Sequence, residues 1–169
     1  MNDTTPFVSI LMGSDSDLPV MQETIDVLDK FGIKREVKIT SAHRTPQRTH
    51  EYIMEADARG CRVFIAAAGM AAHLAGTVAG LTIKPVIGVP IDSGPLQGQD
   101  ALYSTVQMPG GIPVACMAIG KTGAKNAAYL AVQILAIEDP DIAEKLLAER
   151  QENARKIAEK DEALQSKSG

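Results

Sequence analysis

Apolar and polar positions along this chain fall into two alternating patterns, short apolar runs and longer stretches with helical spacing. Residues 7–12 form an almost wholly apolar run that stops at Gly13, the signature of a strand buried on both faces and followed by a turn. Leu18, Met21, Ile25 and Leu28 then recur at three- and four-residue intervals, and Gly32 stands where a C-terminal cap belongs. A second strand is predicted over 35–40, with Val37 and Ile39 on one face, and a second helix over 46–59, closed by Gly60. Strand three is predicted over 63–68 with its helix over 71–81, and strand four over 85–89. A Gly- and Pro-containing loop leads to a short helix over 101–106, then strand five over 113–119 and an Ala-rich helix over 123–137. Strand and helix alternating in this way imply an α/β fold, a parallel sheet with helices on both faces and right-handed crossovers.

The pattern changes after residue 137. Asp139 reads as an N-cap and Pro140 and Asp141 as the first turn, while Ile142, Leu146, Ile157 and Leu164 mark a discontinuous apolar stripe among many charges. The division expected is an α/β domain over 1–137 and a helical extension over 138–169. A solvated helix on its own domain and a brace between subunits both fit the extension. The Ala- and Gly-rich helices, which allow close approach between subunits, make the brace the sharper expectation.

Composition narrows the function classes. The chain has 169 residues, of which 45% are apolar, enough for one domain with a substantial core. A formal charge of −4 offers no basic stripe, which argues against non-specific nucleic-acid binding. Cys61 and Cys116 lie far apart and match no metal or redox spacing, so both are expected in the core of a reduced, cytoplasmic protein. The first six residues lack the charged-then-apolar pattern of an export signal. Residues 63–81 carry no formal charge and approach the length of a membrane span, but Gly69, Gly76, Gly80 and His73 interrupt them, and the run reads as strand, turn and helix.

Chemistry-bearing residues gather after the strands, where α/β sheets bind ligands. Gly13 to Asp17 follow strand one, Ser41 to Arg44 strand two, Gly69 to His73 strand three and Gly120 to Thr122 strand five; all four loops are expected on one edge. Segment 41–46 sets an imidazole, which exchanges protons near neutral pH, beside a guanidinium fork suited to carboxylate or phosphate. Thr45 reads as an N-cap and Pro46 as the first helical residue. Acid/base work on an anionic substrate is one reading; a plain helix start with a solvated His43 is the other. A Gly-Ser turn opening a helix near an arginine suits a phosphate monoester. Asp17 is read either as an N-cap or as an acceptor for sugar hydroxyls.

Three motifs fail on inspection. Gly120, Lys121 and Thr122 resemble the end of a P-loop, but the glycine that pattern needs is Ala115. Asp15 and Asp17 lack the further carboxylates of a magnesium site. No Ser or Cys has an evident His partner and orienting acid. His50, among polar residues of the second helix, is expected at the surface.

Taken together, segments 12–17 (Met-Gly-Ser-Asp-Ser-Asp), 41–46 (Ser-Ala-His-Arg-Thr-Pro), 72–74 (Ala-His-Leu) and 103–114 resemble the PurE family, the N5-carboxyaminoimidazole ribonucleotide mutases of purine biosynthesis, from about residue 8 to 137. The resemblance implies a flavodoxin-like three-layer α/β/α sandwich with a five-stranded parallel sheet. It also implies a cytoplasmic homo-octamer with sites shared between subunits, and a carboxylate moved from the exocyclic nitrogen to ring carbon C4 without metal or cofactor. It gives Ser14, Ser16, Asp17 and Arg44 to the ribose 5-phosphate end, Ser41 to the base pocket and His43 to proton transfer. Gly69, Met70, Ala71, His73 and Leu74 would form the rest of the substrate pocket, with backbone N–H groups of the 69–72 turn cradling the carboxylate. Two positions depart from the family pattern: Met70 stands where a second glycine is usual and Ala75 where proline is. Met70 would narrow the pocket, shift the turn or face a neighbouring helix. A carboxylase taking free CO2, and a non-catalytic module sensing a phosphorylated ligand, are the alternatives.

Overall fold

A computed structural model of the chain describes residues 5–166. Its elements are β1 (Phe7–Met12), a 3-10 turn (Asp15–Asp17), α1 (Leu18–Lys30), β2 (Arg35–Ile39), α2 (Pro46–Ala58), β3 (Cys61–Gly69), α3 (Leu74–Ala79), β4 (Val86–Ile91), α4 (Gln99–Val106), β5 (Ala115–Cys116), α5 (Lys121–Ala136) and α6 (Pro140–Gln165). All strand pairs are parallel, in the order β2-β1-β3-β4-β5. This is the flavodoxin-like order, in which the chain reverses direction across the sheet between β1 and β3.

Burial follows sheet position. Strands β1 and β4 are buried at every residue, as central strands covered on both faces must be. Phe7, Leu11, Phe64 and Ala66 pack with Ile53 and Ala56 of α2 and Leu74, Ala75 and Val78 of α3. On the other face α1 meets α5, where the Thr24 hydroxyl donates to the Ala124 carbonyl at 2.7 Å and Phe31 and Tyr129 stack edge to face. Small residues let α5 approach closely: Ala124, Ala127, Ala128 and Ala131 are fully buried. A Cβ on Gly123 would lie 1.6 Å from the Ala118 carbonyl oxygen.

The edge strands depart from expectation. Ile39 on β2 is 57% exposed, at the edge of the sheet where β2 pairs only with β1 among the described residues. Strand five, expected over 113–119, shrinks to Ala115–Cys116. Beyond it the chain still follows β4 through Met117 N–H to the Gly88 carbonyl and Gly120 N–H to the Pro90 carbonyl. Cys116, expected in the core, is therefore only half-buried, whereas Cys61 is buried, and burial pushes its thiol up to about 12.

Two compact units divide after Val132, within α5. In the second unit Asp139 caps α6 by accepting from the N–H groups of Asp141 and Ile142 at 3.0 and 3.3 Å. Arg155 pairs with Glu152 and Glu159 one turn away on either side. Of the expected apolar stripe only Leu146 is buried; Ile157 and Leu164 are exposed.

Candidate active site

Segment 41–49 is tied into a small hydroxyl network. The Ser41 carbonyl accepts from the Thr45 N–H at 2.9 Å, the Ser41 N–H donates to the Thr45 hydroxyl at 3.0 Å, and the Ser41 hydroxyl accepts from the Arg44 N–H at 3.1 Å. Beneath them the buried hydroxyls of Thr40 and Thr49 lie 2.6 Å apart. Thr45 does occupy the N-cap position of α2, with Pro46 first in the helix, but its side chain makes no cap bond because Ser41 has engaged it. The network consumes the inward-facing polar groups. His43 and Arg44 are left exposed, and so is His50 farther along α2.

The His43 and Arg44 side chains bridge to other loops. The Arg44 guanidinium donates to the Gly13 carbonyl at 3.3 Å. His43 Nε2 lies 2.7 Å from His73 Nδ1, with the rings edge to face at 81°. Such contacts follow from strand order, since β2, β1 and β3 are neighbours and their C-terminal loops emerge side by side.

After β1, Ser14 and Asp17 form a capping box. The Ser14 hydroxyl accepts from the Ser16 N–H at 3.3 Å, and the Asp17 carboxylate accepts from the Ser14 N–H at 3.2 Å. Asp17 thus sits at the N-cap position of α1 without capping it, having turned back toward Ser14. Burial raises its carboxyl above the usual value of 3.8, an effect the backbone hydrogen bond partly opposes.

Helix α3, expected from residue 71, begins at Leu74, and residues 70–73 form an irregular turn. Gly69 is required there: an added Cβ would fall 1.9 Å from the Ser93 hydroxyl. Met70 adopts a left-handed φ of +56°, a conformation glycine enters most easily. Among the described residues, none accepts from the N–H groups of Met70, Ala71 or Ala72.

These loops enclose one cavity of about 540 Å3. Every residue that the family resemblance gives to substrate or proton transfer lines it: Ser14, Ser16, Asp17, Ser41, His43, Arg44, Gly69, Met70, Ala71, His73 and Leu74. Gly13, Ala42, Ala68 and Ser93 complete the wall. Ser93 escapes sequence reading because Pro90 reads as a strand terminator. Pro90 instead sits inside β4; its carbonyl accepts from Gly120, so its missing N–H faces the side where β5 no longer forms a ladder. The Gly120 loop, expected at the cavity, lies against Asp92 instead. The short β5 holds that loop on β4, and the loop after β4 takes its place. Among the described residues no cluster of three or more His, Cys, Asp or Glu could hold a metal, and no helix is long and apolar enough to cross a membrane.

Fold and cavity together define a flavodoxin-like α/β protein with a crevice at its β1/β3 switch point. Residues 7–156 match the family model described as AIR carboxylase, and the chain belongs to that family. It is 54% identical over 165 residues to N5-carboxyaminoimidazole ribonucleotide mutase of Pyrococcus horikoshii, a match covering 98% of this chain and 92% of that one. Over 150 residues it is 53% identical to the Bacillus subtilis protein of the same name, covering 89% of this chain and 92% of that one. The crystal structure of Treponema denticola PurE superposes with a TM-score of 0.85 at 35% identity, covering 94% of this chain and 98% of that one.

Proposed function

We propose that this chain is an N5-carboxyaminoimidazole ribonucleotide mutase, an isomerase that moves the substrate's carboxylate from the exocyclic nitrogen to C4. The observation that carries the reading is the meeting, in one cavity, of the His43–His73 pair with Arg44 beside the Gly13-Ser14 turn. Arg44, the Ser14 and Ser16 hydroxyls and the turn's N–H groups suit the 5-phosphate. Asp17 suits the ribose, and Ser41 the base. His43 lies across the cavity wall from the 69–72 turn, whose free N–H groups suit a carboxylate.

Each proton then has a place. One nitrogen of the His43–His73 pair carries the hydrogen of their shared bond, which leaves Nδ1 of His43 for the substrate. His43 gives a proton to the exocyclic nitrogen as the N–C bond breaks and CO2 departs. The electron-rich ring attacks the retained CO2 through C4, and His43 takes the C4 proton as aromaticity returns. Donation and uptake balance, so the imidazole ends as it began. Holding CO2 beside C4 makes the second step effectively unimolecular, an advantage of up to ~7–11 kcal/mol. His73 acts as a positioning residue that fixes the ring and tautomer of His43.

The deciding assay compares the N-carboxylated ribonucleotide alone with aminoimidazole ribonucleotide plus bicarbonate. Turnover confined to the first supports the mutase, and turnover confined to the second reverses it in favour of a CO2-dependent carboxylase. Cytoplasmic location and assembly into an octamer with shared sites belong to the same proposal, with α6 as the brace. Truncation before Asp139 is expected to lower the particle mass in light scattering or the midpoint of thermal unfolding; unchanged values would remove the brace.

A further inference from the structure

We infer that Ser93 is a further substrate-binding residue, its hydroxyl donating a hydrogen bond to the carboxylate that moves. The inference rests on the mutase reading and adds one side chain to that site. Sheet register puts Ser93 there. Strands β3 and β4 stay paired to their last residues, Gly69 against Ile91. Ser93 comes two positions later and leaves the sheet beside the 69–72 turn. Its loop is tied down by its own backbone: the Ser93 N–H donates to the Ile91 carbonyl at 2.9 Å, and the Gln97 N–H to the Gly94 carbonyl at 3.2 Å. Met70 joins the turn to this loop, its Cγ and Sδ lying 3.2 and 3.6 Å from where a Cβ on Gly94 would stand.

The hydroxyl occupies the space that a side chain on Gly69 would need, and so lies against the residue that opens the carboxylate-suited turn. Ser93 is half-buried and lines the cavity, and among the described residues its hydroxyl has no hydrogen-bond partner. A donor held in place beside the free N–H groups of Met70, Ala71 and Ala72 extends the row they form. Its neutrality suits the chemistry. The Arg44 guanidinium is engaged at the Gly13 turn, where the phosphate is placed. The carboxylate gives up its charge when it becomes CO2 and regains it at C4. A cation fixed beside it would stabilise both charged states over the neutral one between them and slow the transfer. An O–H group holds the carboxylate more gently, turns to follow its oxygens and keeps its own proton throughout.

Two ligands that differ only in that carboxylate separate contact from packing. Titration calorimetry with the C4-carboxylated ribonucleotide and with aminoimidazole ribonucleotide is run on the wild type, on Ser93→Ala and on Gly69→Ala/Ser93→Ala. In the double variant the methyl on residue 69 takes the space of the lost hydroxyl. Ser93→Ala is expected to bind the carboxylated ligand about tenfold or more weakly while affinity for the other stays within about twofold, and the double variant to show the same selective loss. Equal weakening of both ligands, or of neither, would overturn the inference and leave the mutase reading intact. So would recovery of the carboxylated ligand's affinity in the double variant, because the hydroxyl would then only fill space. Wild-type protein that fails to turn over the N-carboxylated substrate would overturn the mutase reading itself, and this assignment with it.

Discussion

Segments 41–46 and 103–114 match the same family pattern, yet the chain treats them in opposite ways. The first is bound into hydroxyl contacts and aims His43 and Arg44 into the cavity. Much of the second faces outward: Tyr103 is 67% and Ile112 37% exposed, and a Cβ on Gly110 or Gly111 would meet nothing. Met108 is its anchor, with Sδ lying 3.3 Å from where a Cβ on Gly76 would stand. The first segment needs only this chain to explain its residues. The second uses Thr105, Met108 and Val114 for packing within the chain and turns Tyr103, Gly110, Gly111 and Ile112 outward.

The comparison breaks most sharply at His43. His43→Asn is expected to cut turnover by ~10²- to 10⁴-fold while substrate affinity by calorimetry stays within about tenfold; retained turnover would end the catalytic assignment. Gly69→Ala comes next, since its methyl would strike the Ser93 hydroxyl. A loss of about 1–3 kcal/mol in chemical denaturation is expected, with part of it restored by adding Ser93→Ala. Gly110→Ala is the counterpart in the exposed segment. There stability should change by no more than about 0.5 kcal/mol, while turnover and particle mass fall together; unaltered turnover would make the segment a passive loop.

The smallest effect separates cavity from scaffold by pH. Asp17 has a raised carboxyl, so the folded state holds its proton after the unfolded chain has lost it. Its contribution to stability declines as pH rises from 3.8 toward that higher value. Glu36 is the reverse case: hydrogen bonds from Arg59, the Nη2 donor at 2.8 Å and the Nη1 donor nearer still, hold its carboxyl below 4.5. Its contribution is present above 4.5 and is lost as pH falls through the lower folded value. Denaturation followed from about pH 3 to 6 should therefore show Asp17→Asn removing a decline with rising pH and Glu36→Gln removing a decline with falling pH. Equal slopes in both variants would contradict the opposed environments.

Much of the site is legible in the chain because its loops are punctuated by local chemistry. Gly13 stops an apolar run, Pro46 opens a helix, and Gly60 at φ +98° closes it. Side-chain roles were less legible. Thr45 and Asp17 carry N-cap signatures, yet each bonds backward to a serine. A hydroxyl or carboxylate with two acceptable partners takes the one the turn brings nearer, and sequence spacing does not rank them.

What the sequence determined alone was the alternation of strands and helices, and with it the strand ends that carry chemistry, since periodicity and turn residues act within a few positions. Tertiary structure decided the rest: the two-residue β5, the seat of Met70 on Gly94, the entry of Ser93 and the contact between His43 and His73. Those facts depend on which strands become neighbours and how closely their loops approach. That is settled by packing among residues distant along the chain.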